Sequence, residues 1–247
     1  MSETILEIRN LRHTEKGRPV LDGFSLRLEA GRVYALLGAP GSGKTTLLRI
    51  LGGLTPLQEG EAAIKGVSVT VPESRKETGM LIGEPALWGE LSVAGNLELQ
   101  SRILGKVDRR RMGRLMKALA ILPRDTGNRR AGSSPESIKM RLAAAMALLG
   151  SPKLLLLDEL YSGLDSDDAG RMDALLAEET AARGMATLLT GSALPLLWNA
   201  ATDFLLLGSG RIRAQYTKEA LSARLDGELS AAALAGLQEA LEKEGAE

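Results

Sequence analysis

The chain has 247 residues, 44% hydrophobic and 3% aromatic, with 31 Lys+Arg balanced by 31 Asp+Glu. That is the composition of a globular chain long enough for one large domain or two modest ones, and the charge balance excludes a global field that would draw nucleic acid or anionic lipid. With no cysteine, neither a disulfide framework nor a thiolate metal site can form, which fits a reducing compartment.

In chain order, the start MSETILEIRN is acidic and broken by charges; it is not expected to act as a signal peptide, which needs a basic start and an uninterrupted apolar stretch. ILEIRN, FSLRLEA and RVYALLG read as strand-like pieces separated by Gly and Pro turn signals. The apolar Val33 to Leu37 runs into a Gly-rich loop, and KTTLLRILGGL follows with helical spacing until Gly52 and Gly53 end it. From about Leu91 to Gly150 the pattern is helical, in VAGNLELQSRIL, RRRMGRLMKALAIL and IKMRLAAAMALL. KLLLLDE is a buried strand, a helix is expected from about Asp167 to Arg183, and the strands MATLLT and DFLLLG lead into a hairpin-like SGRIRAQY. After Tyr216 the chain is helical and acidic towards its end. Strands alternating with helices predict an α/β fold with a parallel sheet covered on both faces. Residues 1–216 form the main domain in this reading, with a helical part inserted at about 89–150, and 217–247 form a C-terminal helical appendage. The longest apolar run, Leu142 to Gly150, is far shorter than the roughly 20 residues that span a bilayer.

Gly38, Gly43, Lys44 and Thr45 fit the pattern G-x-x-x-x-G-K-[ST] after a strand and at the opening of a helix. The full stretch is Gly38, Ala39, Pro40, Gly41, Ser42, Gly43, Lys44, Thr45 and Thr46. Gly41 and Gly43 let backbone N–H groups converge on phosphate oxygens, helped by the helix N-terminus. Lys44 supplies charge to the β- and γ-phosphates, and the Thr45 hydroxyl is a ligand for Mg²⁺. The competing reading, a Gly-rich turn that happens to precede a lysine, does not account for the strand-loop-helix setting.

LLLLDE, Leu154 to Glu159, adds two carboxylates at the end of a buried strand. Successive strand residues point opposite ways, so Asp158 and Glu159 have different roles. One carboxylate would hold the Mg²⁺ shell, and the other would orient or deprotonate an attacking water. An acidic strand end alone is a common surface feature; beside the cradle it supports a bound nucleotide phosphate with Mg²⁺.

LLGAPGSGKTTLLRILGGLTPLQEGE followed by LLLLDELYSGLD resembles the nucleotide-binding subunits of ABC transporters, over about residues 5–216. GEPALWGELSVAGNLEL is most similar to the antibiotic and lantibiotic export branch. The resemblance implies a P-loop NTPase, RecA-like core, an N-terminal antiparallel β subdomain, a helical subdomain, and head-to-tail dimers with ATP between subunits. It also implies a separate membrane permease and a place at the inner face of the cell membrane, with Asp158 on the metal and Glu159 as the catalytic carboxylate. SGLD, Ser162, Gly163, Leu164 and Asp165, is similar to the family's D-loop, which crosses between subunits, although Leu160 replaces the usual Pro before it.

Four positions depart from the family pattern. The aromatic residue that stacks on adenine falls on Glu15, with His13, the chain's sole histidine, two residues away; a lone His is more often solvated than stacked. The Gln that senses Mg²⁺ and water falls on Gly83, beside Glu84. The His at the γ-phosphate falls on Ala193. The signature that clamps the opposite subunit's ATP becomes SPESI, Ser134 to Ile138, including Pro135 and Ser137. That segment reads as a capped helix start, with Ser134 as N-cap and Pro135 in the first helical position, and Glu136 competes with an anion at that helix end.

Between Arg102 and Arg130 lie Arg102, Lys106, Arg109, Arg110, Arg111, Arg114, Lys117, Arg124, Arg129 and Arg130 against only Asp108 and Asp125 in the same stretch. Such a run serves nucleic acid or lipid headgroups in some proteins, but without interleaved aromatics it reads first as a solvated face. The sequence therefore predicts the ATP-binding subunit of an ABC exporter, with slow or partner-dependent hydrolysis, working as a homodimer or a heterodimer. Two rivals remain. One is a non-catalytic subunit paired with a competent homologue; the other, favoured by the basic run alone, is a nucleic-acid-associated ABC ATPase.

Overall fold

The first two strands, β1 (Thr4–Glu15) and β2 (Arg18–Glu29), form one long antiparallel hairpin. Lys16 and Gly17 join them, both at positive φ, the backbone that matches the right-handed twist of paired strands. The structure, a computed structural model, describes residues 3–105, 108–126, 129–225 and 229–244. Next come β3 (Val33–Leu37), helix α1 (Lys44–Leu51), β4 (Glu59–Ile64), the short β5 (Val67–Ser68) and β6 (Thr78–Leu81). Helices α2 (Val93–Ile103), α3 (Arg109–Ala118), α4 (Pro123–Thr126) and α5 (Glu136–Leu149) follow. The described chain closes with β7 (Leu154–Leu157), α6 (Ser166–Arg183), β8 (Ala186–Gly191), α7 (Leu194–Leu197), β9 (Asp203–Gly208), β10 (Arg211–Thr217), α8 (Lys218–Ser222) and α9 (Ala231–Glu244).

Two sheets result. One is antiparallel, ordered β2-β1-β4-β5; the other is ordered β10-β9-β3-β8-β7-β6 and parallel except for the β10 edge, which pairs antiparallel with β9. Strand β3 shows why the parallel sheet holds two cores apart. All five of its residues are buried; Tyr34 and Leu36 face one apolar cluster with α1 and the antiparallel sheet, while Val33, Ala35 and Leu37 face the other with α2, α3, α5 and α6. Alternation across a strand covered on both faces yields this division.

Local chemistry sets the helix starts. Ser92 accepts from Gly95 N–H to cap α2, Asp108 accepts from Arg111 N–H to cap α3, and Asp165 accepts from Asp168 N–H to cap α6. The α5 start differs from the sequence expectation. Pro135 stands at the cap position with no side-chain bond, and the buried Ser134 hydroxyl donates backwards to the Arg130 carbonyl at 3.1 Å. Helix α9 docks rather than trails: Leu234, Leu237 and Leu241 are buried in the larger core with Leu194, Leu197 and Trp198. Each such leucine contributes about 1.5–3 kcal/mol.

Candidate functional site

Strand β3 ends buried at Leu37, and the chain loops through Gly38 to Gly43 into α1. Gly43 sits at φ +103, and a Cβ there would lie 3.0 Å from the Val20 side chain and 3.1 Å from the Val20 carbonyl. Both backbone and space therefore require glycine. The loop has the character of an anion cradle. Ser42 Oγ is buried without a hydrogen-bond partner, the Thr45 side chain is exposed at the helix mouth, and the first-turn N–H groups open outward. Lys44 is buried, and its Nζ donates to the carbonyls of Gly38 at 2.7 Å and Ala39 at 3.2 Å. These residues fit a polyphosphate. A cleft of about 350 Å³ runs along Pro40, Gly41, Lys44 and Thr45, with Glu15 and Glu159 on its walls.

The two carboxylates that follow β7 diverge, but not by strand alternation. The strand ends at Leu157, and Glu159 takes a left-handed conformation, φ 49°, that turns the chain. Asp158 is buried and accepts from Thr190 Oγ1 at 2.6 Å, while the same hydroxyl accepts from Glu159 N–H at 3.1 Å. The Glu159 side chain is 41% exposed and stands 3.7 Å from Lys44 Nζ. One carboxylate is thus locked to β8 and the other faces the open cleft. Among the described residues no group of three or more His, Asp or Glu could hold a metal. Mg²⁺ takes one or two protein ligands and completes its shell with phosphate oxygens and water; the exposed Thr45 hydroxyl is an oxygen donor on the cleft, while Asp158 Oδ1 is engaged by Thr190.

The departing positions fall around this cleft in different ways. Glu15 lines it and accepts from Thr46 Oγ1 at 2.9 Å. His13 is no solvated surface residue: it is buried, 3.9 Å from Glu15, with Nδ1 unpartnered. It presents no free ring face. Gly83 lies beyond the end of β6, exposed and at φ +70, and Glu84 turns to a separate cleft beside Trp88. Ala193 follows β8 in extended backbone, φ −125°. Since β3, β7 and β8 are parallel neighbours, their C-terminal ends share one rim, where open α/β sheets bind ligands. Glu136 is exposed in the first turn of α5 and pairs with Lys139 at 3.6 Å; Ser137 follows it, half-buried. Ser162 Oγ donates to the Glu159 carbonyl at 2.6 Å, and Gly163, Leu164 and the capping Asp165 lead into α6. Behind this turn, Tyr161 donates to Asp173 at 2.6 Å, and burial pushes both groups up from their ordinary ranges.

Four residues of the basic run meet acids outside it. Arg111 is buried against Glu179 at 2.9 Å, Arg114 meets Glu178 and Glu179, Arg102 pairs with Glu98, and Arg130 pairs with Glu90. Lys106 lies outside the described residues. Thr190 and Gln238 were not singled out by any sequence signal. Gln238 on α9 accepts from Leu194 N–H at 2.7 Å and donates to the Ser192 carbonyl at 2.8 Å, so it brackets Ala193.

The family model described as ABC transporter matches residues 21–162. A phosphonates import ATP-binding protein of Nostoc sp. is 33% identical over 228 residues, covering 86% of this chain and 93% of that protein. An uncharacterized ABC transporter ATP-binding protein of Bacillus subtilis is 30% identical over 190 residues, covering 76% of this chain; the match spans 62% of that protein's length. A lantibiotic transport ATP-binding protein of Streptococcus pyogenes is 34% identical over 164 residues, covering 65% of this chain and 69% of that protein. The solved ATP-binding subunit of an ABC transporter superposes with TM-score 0.83 at 21% identity, over 98% of this chain and 100% of that one. A bacterial ABC transporter cassette solved as a dimer gives 0.78 at 22% identity, over 87% and 99%. The fold is that of the P-loop ABC cassettes, with its antiparallel and mostly parallel sheets and its helices between β6 and β7, and the chain belongs to the ABC transporter family as an ATP-binding subunit.

Proposed function

We propose that this subunit binds Mg-ATP and drives an exporter while hydrolysing slowly, or only when partnered. One observation carries the reading: the cleft has its ground-state phosphate groups, but Glu15, Gly83 and Ala193 stand where the resemblance calls for a stacking ring, a glutamine and a histidine. Gly38 to Thr46 cradle the phosphates, Thr45 and Asp158 hold Mg²⁺, and Glu159 orients water. Bound Mg²⁺ neutralises phosphate charge; Lys44 leaves its loop carbonyls for phosphate oxygen, which frees Glu159 to face the attacking water.

Residues 1–216 form the cassette in this proposal, with 89–150 as its helical part and 217–247 as an accessory segment. Among the described residues no helix is long and apolar enough to cross a membrane. A separate permease supplies the span, and the subunit sits at the inner membrane face. Trp88, Leu54 and Leu104 are 40%, 57% and 44% exposed around a second cleft of about 490 Å³, the kind of apolar surface that a protein partner covers. Likeness to the lantibiotic relative and the PALW stretch support export; the phosphonate relative, matched over more of the chain, is an importer by name. Ser162 to Asp165 meet a second cassette in this proposal, either another copy or a homologue with an intact signature. A non-catalytic role beside such a homologue is the second reading, favoured by the same three positions. The nucleic-acid reading is weakened by the ion pairs of Arg102, Arg111, Arg114 and Arg130.

Nucleotide titration and fractionation test the proposal. Lys44→Ala is expected to abolish or severely weaken Mg-ATP binding, because it deletes a ground-state charge, whereas Glu159→Gln leaves binding nearly intact. Expressed alone, the chain is expected in the soluble fraction, and with its cognate permease in the membrane fraction. Equal loss of binding in both variants contradicts the role given to Glu159. Salt-sensitive nucleic-acid binding without membrane association contradicts the transporter role.

A further inference from the structure

We propose that Thr190, near the end of β8, is a positioning residue whose single hydroxyl orients the Asp158 carboxylate and pins the Glu159 turn, so that the chain's hold on a nucleotide's Mg²⁺ depends on it. The proposal rests on the reading of Asp158 as an Mg²⁺ ligand at the Gly38–Thr46 cleft.

The strands bring this hydroxyl to the face that carries the cradle helix. Leu154 and Leu156 of β7 and Leu188 of β8 pack in the apolar cluster that holds α1. The two strands are parallel neighbours, and the Asp158 N–H extends the ladder by donating to the Leu81 carbonyl at 2.8 Å. Alternation therefore sets Asp158 and Thr190 on the α1 side of the sheet, and the first turn of α1 carries Lys44 and Thr45. An ionised carboxylate cannot donate, so the hydroxyl's one proton goes to Asp158 Oδ1, at 2.6 Å, and a lone pair is left for the Glu159 N–H, at 3.1 Å. Oδ1 is thereby fixed, and Oδ2 is the oxygen left for a cation. Thr190 is buried, so a lost bond is not made good by bulk water. The second bond holds the peptide of Glu159, which stands at φ 49° and whose carbonyl accepts from Ser162 Oγ at 2.6 Å. The Glu159 side chain lines the cleft 3.7 Å from Lys44 Nζ. One hydroxyl thus ties the side chain of the buried carboxylate to the backbone of the cleft-facing one. Groups that orient a metal-binding side chain in this way govern metal affinity by about 10–100-fold.

The test titrates ATP onto the full chain, once with Mg²⁺ and once with EDTA, in wild type, Thr190→Val, Thr190→Ala and Thr190→Ser. Valine keeps the shape and loses the oxygen, alanine loses both, and serine keeps the hydroxyl. The ratio Kd(EDTA)/Kd(Mg²⁺) is expected to fall about tenfold in Thr190→Val and Thr190→Ala and to stay near wild type in Thr190→Ser, with metal-free ATP affinity unchanged in all three. In an Asp158→Asn background, where the ratio is already low, Thr190→Val is expected to lower it no further. An unchanged ratio in both oxygen-free variants, equal loss with and without Mg²⁺, a serine variant as impaired as valine, or a full further loss beside Asp158→Asn overturns the proposal while leaving the nucleotide site in place. A wild-type chain whose ATP affinity gains nothing from Mg²⁺ overturns the reading of Asp158 and the proposal with it. A wild-type chain that binds ATP under neither condition overturns the nucleotide reading itself.

Discussion

Replacing Glu15 by Gln is expected to tighten nucleotide binding, although it alters a residue lining the site. The carboxylate accepts from Thr46 Oγ1 at 2.9 Å and is 52% exposed, on a cleft whose single lysine is already shared with Glu159 at 3.7 Å. An incoming phosphate must displace or tolerate that charge. At a separation on the order of 6 Å and an effective dielectric of about 40, between surface and bulk-water values, each opposing unit charge costs about 1.4 kcal/mol. Removing it corresponds to a gain of about tenfold. Calorimetric titration of wild type and Glu15→Gln with Mg-ATP measures the difference directly. Because the group is half in solvent, the gain should shrink when salt is raised from about 0.05 M to about 0.5 M, as screening shortens the reach of the charge. Weaker binding by Glu15→Gln, or a gain that salt leaves untouched, refutes the electrostatic reasoning.

With no free stacking face at Glu15 or the buried His13, GTP should compete with ATP within about tenfold, since a ring contact is worth about 0.5–1.5 kcal/mol; strong adenine preference in competition titrations contradicts this. Gly83→Gln places an L-residue at φ +70 and should lower stability by about 1–2 kcal/mol in denaturant titrations. Ala193→His, in extended backbone, should carry no such cost, and it is the change expected to raise turnover in a partnered complex. Glu179→Ala removes a carboxylate that is 1% exposed and leaves Arg111 buried beside the Leu148 and Leu149 carbonyls. A loss of about 3–5 kcal/mol is expected, with nucleotide affinity retained by the protein that remains folded; a midpoint unchanged in urea contradicts it.

The phosphate cradle was legible because its glycines, lysine and threonine act within one continuous stretch, where spacing alone encodes geometry. The parallel strands around β7 and β8 were legible as apolar runs for the same reason. Strands β4 and β5 were not, since their residues take their place through pairing with β1 rather than through local periodicity. The separation of Asp158 from Glu159 was anticipated on strand alternation, yet it arises from a left-handed turn at Glu159, and no propensity marks a glutamate for that conformation. Residue type alone makes Ser134 a cap; its hydroxyl instead donates to the Arg130 carbonyl four residues back, a local bond that competes with capping. The basic run appeared unbalanced because Glu178 and Glu179, which meet it, lie in another helix. Gln238 reaches the loop around Ala193 only in three dimensions.

ATP turnover by the purified chain, with Glu159→Gln as control, tests the central claim most directly. Two groups that should surround the terminal phosphate are replaced at Gly83 and Ala193, and a second copy would bring Glu136 rather than an intact signature. Lost transition-state contacts of this kind cost about 2.7–4 kcal/mol each, without strict additivity. Binding of Mg-ATP with turnover barely above the Glu159→Gln background, and partial stimulation by a partner that carries an intact signature, is the expected result. Brisk hydrolysis by the chain alone, abolished by Glu159→Gln, would show that the cradle and one carboxylate suffice.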